Sequence, residues 1–233
     1  MGKLWIDGTG LDEFGITVSG EGTYNAPELD YETVPVPGRN GELIKSNGRY
    51  KNITVTYPAG ITQKFYENAA AARVFLLGAG AKYRRLVDSY HPDTYRMGIY
   101  TGGIDFSMGF LNKAGETSLA FNCMPQRFLT SGENPITLQS GQKLCNAWME
   151  SKPLLLVTGN GTLTVGTGTI TVTDTSGQIT IDCDLEDAYQ GLTSLTGNIE
   201  VENNQWPVIP PGESLVSFTG ITQLQIIPRW WTL

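Results

Sequence analysis

Short stretches of alternating apolar and polar residues, cut by Gly, Pro and Asn about every ten residues, run along most of the chain and predict β-strands. Residues 1–58 read as short strands, with turn glycines in "IDGTGLDEFGITVSG" and an extended, turning, extended pattern in "YETVPVPGRNGELIKSNGRYKNITVTY". Within the latter, Pro37-Gly38 suits the centre of a type II turn, and Asn40-Gly41 and Asn47-Gly48 each suit a tight hairpin. Pro35 and Pro37 hold their preceding residues extended and supply no N–H to a ladder, which assigns the segment to a sheet edge or a protruding loop. Loops of this kind are where partners are met.

One stretch departs from the period of two. In "TQKFYENAAAARVFLLGAG", Phe65, Ala69, Ala72 and Leu76 recur at helical spacing, so the segment predicts a helix packed on a sheet through that face. Thr62 is the expected N-terminal cap and Gly78 the expected left-handed stop. Strands resume in "YRRLVDSY", "YRMGIYTGGIDFSMGF" and "TSLAFNCMPQRF", the last expected to stop at Pro125. From Leu129 to Leu138 the composition turns to Ser, Thr, Gly, Asn and Pro, which places a domain boundary there and divides the chain into 1–130 and 131–233. The second part carries "KPLLLVTG", "GTLTVGTG", "TITVTD", "QITIDCDL", "NIEVENN", "SLVSFTG" and "TQLQIIP", expected as consecutive hairpins of an antiparallel sandwich.

Composition narrows the function classes. The net charge of −7 lacks the basic stripe by which nucleic-acid binders displace counterions from phosphates. "MGKLWIDGTG" has no apolar core of a secretory signal, and the run from Ala69 to Ala81, broken by Arg73, is shorter than the ~20 residues of a bilayer span, so no membrane partner is expected. Cys123, Cys145 and Cys183 lie 22 and 38 residues apart, which fits neither a disulfide framework nor a zinc site, so all three are expected as buried, reduced thiols.

Catalysis finds no support. His91 is the sole histidine, no G-x-S-x-G or other nucleophile signature occurs, and a solvent-facing loop histidine is expected. "ITIDCDLED" offers Asp182, Asp184, Glu186 and Asp187 as a glycosidase pair or calcium ligands. Strand alternation accounts for the same residues with Ile179, Ile181, Cys183 and Leu185 inward and the acids outward. The glycines of "GNGTLTVGTG" precede a strand, not the helix that a phosphate loop needs. No catalytic residue, metal site or cofactor is expected.

"VPVPGRNGEL", the single helix ending "FLLGAGAKYRRLVDSY", the Thr/Gly-rich half with "ITIDCDLEDAY", then "WPVIPPGES" and the terminal "IIPRWWTL" occur in one order. Together they resemble the distal tail proteins of long-tailed, non-contractile phages that infect Gram-positive bacteria. The resemblance implies a mainly β protein with a split-barrel-like N-terminal domain carrying one α-helix and a galectin-like or carbohydrate-module-like C-terminal β-sandwich. It further implies a homohexameric ring formed by residues 1–130, placed at the distal end of the virion tail after synthesis in the host cytoplasm. Its implied partners are the tail tube protein, the tail-associated lysin or fibre hub and receptor-binding proteins, with DNA only passing through the lumen. Pro37, Gly38, Arg39, Asn40 and Gly41 are the expected ring or partner contacts. Arg229, Trp230 and Trp231 are expected as a clasp at the domain junction, because two indoles near a terminus require burial. The alternative is a lectin-like protein that stacks cell-wall saccharides on Trp148, Tyr189 and Trp206.

Overall fold

The computed structural model describes residues 2–109 and 113–233. The chain divides into two compact units, one ending at Arg127 and the other spanning Phe128–Thr232, each with its own apolar core. Up to the boundary the elements are β1 (Leu4–Ile6), β2 (Thr9–Gly10), β3 (Ile16–Val18), β4 (Leu29–Pro35), β5 (Glu42–Tyr50), β6 (Ile53–Ile61), α1 (Phe65–Leu77), β7 (Arg84–Asp88), β8 (Thr94–Tyr100), β9 (Ser107–Gly109) and β10 (Ala114–Leu129). The main sheet runs β2-β1-β7-β8-β10-β6-β3, with β9 also on β10, and curls into a half-barrel. β6 shows why: Ile53, Val55, Tyr57, Ala59 and Ile61 are buried and the residues between them are not. Phe65, Ala69, Ala72 and Leu76 of α1 join the same core.

Local details differ from expectation for physical reasons. The helix begins three residues after Thr62: Lys64 at φ 47° is its N-cap and makes no side-chain cap. Gly78 stays right-handed at φ −69°, its N–H bonded to the Val74 carbonyl, and the left-handed glycine is Gly80. Pro125 does not stop β10, whose pairing with β6 already ends at Cys123, so the missing N–H deprives that neighbour of nothing. "YRMGIYTGGIDFSMGF" divides into β8 and β9, and its last residue, Phe110, lies outside the described residues. Cys145 is exposed, against expectation, whereas Cys123 and Cys183 are buried. Burial pushes their thiols up to about 11 and about 12, which makes both inert.

His91 is not a solvent-facing loop residue. It is half-buried, with the Tyr24 ring edge-on at 4.8 Å. Arg127 Nη1 donates to its Nδ1 at 3.4 Å, so Nε2 carries the proton and donates to Thr23 Oγ1 at 3.1 Å, whose hydroxyl in turn donates to the Gly20 carbonyl. Burial and the Arg127 charge hold the imidazole pKa below its ordinary value.

The second unit contains β11 (Ile136–Leu138), β12 (Lys143–Asn146), β13 (Leu154–Val165), β14 (Gly168–Val172), β15 (Gln178–Asp182), β16 (Asp187–Gln190), β17 (Thr193–Ser194), β18 (Ile199–Val201), β19 (Gly212–Ile227) and β20 (Trp231–Thr232). One sheet runs β11-β19-β13-β15-β16-β17, while β14 pairs with β13 and β18, and β12 with β19. Consecutive strands pair antiparallel as β13–β14, β15–β16 and β16–β17, but "KPLLLVTG" with "GTLTVGTG", and "SLVSFTG" with "TQLQIIP", run on as the two long strands β13 and β19. Leu154–Thr158 of β13 pair with Ile227–Gln223 of β19, the register shifts around Gly159 to Thr162, and Thr162–Val165 then pair with Thr219–Val216. Gly159-Asn160-Gly161 is therefore a bulge that bends one long strand pair, not a turn between two strands. Leu155, Val157 and Ile181 on one side of the bulge and Leu163, Val165 and Ile170 on the other share the core.

The bend depends on bare backbone. Gly161 sits at φ 155°, and a Cβ there would fall on the Thr219 carbonyl oxygen. Gly161→Ala is expected to lower stability by about 2 kcal/mol or more, whereas Gly141→Ala, at φ 91° in open space, should cost about 1 kcal/mol, read as urea midpoints. The His91 network gives a pH test. With the folded pKa below the unfolded one, the stability tied to neutral His91 is present above about pH 6.5 and is lost as pH falls through the folded value. His91→Gln should flatten the melting temperature of the first unit between about pH 5 and 7, and an unchanged slope would exclude the effect.

Candidate interaction surfaces

β4 and β5 form a two-stranded sheet of their own, an antiparallel ribbon outside the main sheet. Its tip is the Val36-Pro37-Gly38-Arg39 turn, with Arg39 N–H on the Val36 carbonyl at 3.2 Å and Gly38 at φ 79°. This is the type II geometry that Pro-Gly favours. Gly41, at φ 83°, opens the return strand, and Arg39 and Asn40 are exposed. Asn47-Gly48 does not turn the chain: Asp30 pairs with Arg49 and Tyr31 with Ser46, so both residues are extruded as a bulge. The Ser46 hydroxyl accepts from Gly48 N–H at 3.2 Å inside it.

The register gives the ribbon two unlike faces. Leu29, Tyr31, Thr33 and Pro35 share one face with Glu42, Ile44 and Ser46. Ile44 is 74% exposed, Leu29 57% and Tyr31 52%, and a shallow concavity lies along them. The opposite face carries Asp30–Arg49 at 2.7 Å, Glu32–Lys45 at 3.3 Å and the Val34–Leu43 pair. These ion pairs are at the surface and contribute little, so they do not hold the ribbon in place. An isolated two-stranded ribbon is marginal in water, and this one leaves three large apolar side chains uncovered on one face.

A second constellation closes the sandwich. Arg229, itself at φ 54°, puts Nη1 on Asp182 Oδ1 and Nη2 on Oδ2, both at 2.7 Å. The Asp184 and Leu185 amides also donate to Oδ1, at 3.0 and 3.2 Å. Burial alone would raise the Asp182 pKa, but the Arg229 hydrogen bonds and these amides hold it below the ordinary value. Trp230 is 7% exposed, in the core of the second unit, and its carbonyl accepts from Leu129 N–H. Trp231 is half-buried, donates from Nε1 to the Glu150 carbonyl at 2.7 Å and accepts from Met149 N–H. These hydrogen bonds tie Arg229, Trp230 and Trp231 to residues within Phe128–Thr232, while β20 (Trp231–Thr232) also pairs with β10.

Sequence reasoning missed Asp182 because alternation placed it outside with the other acids. The strand ends at Asp182 and a turn follows, so alternation fails just there: Asp182 is buried and Leu185 is 72% exposed. No group of three or more potential metal ligands occurs among the described residues. Of the aromatic side chains considered for sugar stacking, Trp206 packs on the core, Tyr189 is half-buried and Trp148 is 42% exposed.

No protein-family model matches the sequence, and no curated protein does. Solved structures do match. The SPP1 Dit protein (gp 19.1), described as a paradigm of the hub adsorption apparatus in Gram-positive-infecting phages, aligns over 100% of this chain and 98% of its own, with a TM-score of 0.73 at 13% identity. The chain has the fold of that Dit protein. A chain of the phage P2 baseplate in its activated conformation with Ca matches at TM-score 0.56 and 10% identity, covering 97% of each chain. The corresponding structure with Sr gives 0.52, again at 10% identity and 97% of each chain. The Dit-like fold extends over both units, which agrees with the resemblance carried by the VPGRNG and PRWW motifs.

Breaking the buried pair should be costly in one direction only. Arg229→Ala strands the Asp182 carboxylate and is expected to destabilise the second unit by about 3 kcal/mol, while adding Asp182→Ala should recover much of that loss. The pair's contribution is present above the unfolded carboxyl pKa of about 4 and is lost as pH falls through the lower folded value. Denaturant melts of both variants at pH 7 and pH 3 check this.

Proposed function

We propose that the chain is the structural hub of a phage tail tip. On this reading residues 1–130 close into a homohexameric ring, and the ring joins the tail tube protein to the tail-associated lysin or fibre hub and to receptor-binding proteins. The single observation that carries it is the likeness to the SPP1 Dit hub protein along the whole chain, at TM-score 0.73. The VPGRNG ribbon supports it from the physical side, since an exposed apolar face on a protruding element is what a ring-forming subunit presents to a neighbour. Pro37, Gly38, Arg39, Asn40 and Gly41 then contact a neighbour or tail partner, with the Arg39 guanidinium suited to a carboxylate or carbonyl. The role is non-enzymatic and the location is the distal end of the virion tail.

Charge supports a channel. Six copies of −7 make −42 per ring, and a lumen sharing that excess repels DNA phosphates, so the genome slides through without adhering. A basic lumen in the assembled ring would refute this part.

Saccharide binding by the sandwich is the second reading, favoured by exposed Trp148 alone among the three aromatic candidates. Light scattering after size exclusion, followed by electron microscopy, separates the two. Closed six-fold rings are expected for the hub. A protein that stays monomeric at high concentration and on purified tail tubes, yet binds cell-wall oligosaccharide, would replace the hub with the lectin.

A further inference from the structure

α1 is apolar over more of its circumference than its own sheet requires. At about 100° per residue, the buried residues Phe65, Ala69, Ala72 and Leu76 occupy one arc. Tyr66, Ala70, Arg73, Val74 and Leu77 occupy the arc beside it and are all exposed, Val74 at 75%, Tyr66 at 67% and Leu77 at 52%. Together the two arcs span roughly 200°, whereas a helix laid on one layer needs a stripe of only about 100°. The second arc thus faces water with three large apolar side chains and one cation.

The ribbon presents the matching surface. Its face of Leu29, Tyr31 and Ile44 is equally uncovered, and the one ionisable acid on that face is Glu42, opposite in sign to Arg73. Lengths agree as well: seven residues of β4 span about 23 Å, and thirteen residues of α1 about 20 Å. Two different, complementary surfaces on one unit are what a heterologous contact needs, and such a contact closes into a ring when its rotation does.

We infer that the apolar face of the β4–β5 ribbon docks along the outer stripe of α1 in the next copy of this chain, with Glu42 set against Arg73 of that copy. The inference rests on the ring of the proposed function and specifies which surfaces close it. Each junction then covers one ribbon and one helix, and no copy in a closed ring keeps either face in water.

The directionality of the contact supplies the test. Ile44→Asp spoils the ribbon and Val74→Asp spoils the helix stripe; both positions are exposed, so circular dichroism and melting temperature should match wild type. Each variant alone is expected to be monomeric by light scattering. Mixed, they should form a one-to-one dimer through the one intact ribbon and the one intact stripe, and no rings. In a Cys145→Ser background, an equimolar mixture of Tyr31→Cys and Val74→Cys chains should give a disulfide-linked dimer on oxidation, absent from either chain alone. Rings that persist in Val74→Asp while Ile44→Asp is monomeric would show a contact between ribbons and overturn this pairing, with the hub reading intact. Wild-type protein that forms no ring in solution or on tail tubes would overturn both.

Discussion

Uncovered apolar surface on the first unit is the constraint on which the account depends. Transfer of apolar area out of water is the main stabilising term in folding and association alike. The half-barrel sheet and the inner arc of α1 satisfy it within one chain, with Leu4, Tyr57, Ile61 and Phe121 sealed from solvent. The ribbon and the outer arc of α1 do not. On the proposed reading, Ile44, Leu29, Tyr31, Val74 and Tyr66 leave water when those surfaces pair between copies. Pro35 at the end of β4 and Pro37 in the turn beyond it supply no N–H to a ladder, so this end of the ribbon cannot be a central strand of the chain's own sheet. Protrusion of the ribbon thus follows from the same residues that shape its tip.

The sandwich is organised differently, by geometry at two points. Glycines at positive φ let one long strand pair bend at a bulge and line one core on both sides of it. The chain end is then fixed by a desolvated carboxylate, a guanidinium fork and a buried indole. Asp182 is the partner that makes Arg229 more than a surface charge, and the turn after it supplies two further amide donors.

Much of this was legible in the sequence because β-alternation and helical spacing report burial directly. The β class, the single helix with its inner face and the Pro-Gly turn follow from local residue chemistry alone. What escaped was set by partners distant in sequence. "GNG" is chemically a turn until Thr219 and Ile221, some sixty residues later, pair on either side of Asn160-Gly161 and make it a bulge. Asn47-Gly48 is likewise a turn signal that the register of β4 converts into a bulge. Asp182 looks like one acid among four until Arg229 arrives 47 residues on. His91 looks exposed until Arg127 and Tyr24 enclose it. The outer arc of Tyr66, Val74 and Leu77 on α1 emerges only from the structure, which shows that its own fold leaves it bare.

Hydrogen–deuterium exchange of the intact chain at low and high protein concentration tests the central claim most directly. Docking of ribbon on helix between copies predicts that protection rises together over Leu29–Tyr50 and Phe65–Leu77 as assembly proceeds, while the sandwich core from Leu154 to Val165 is unchanged. Protection that rises in one of the two segments without the other, or in neither while rings form, would contradict it.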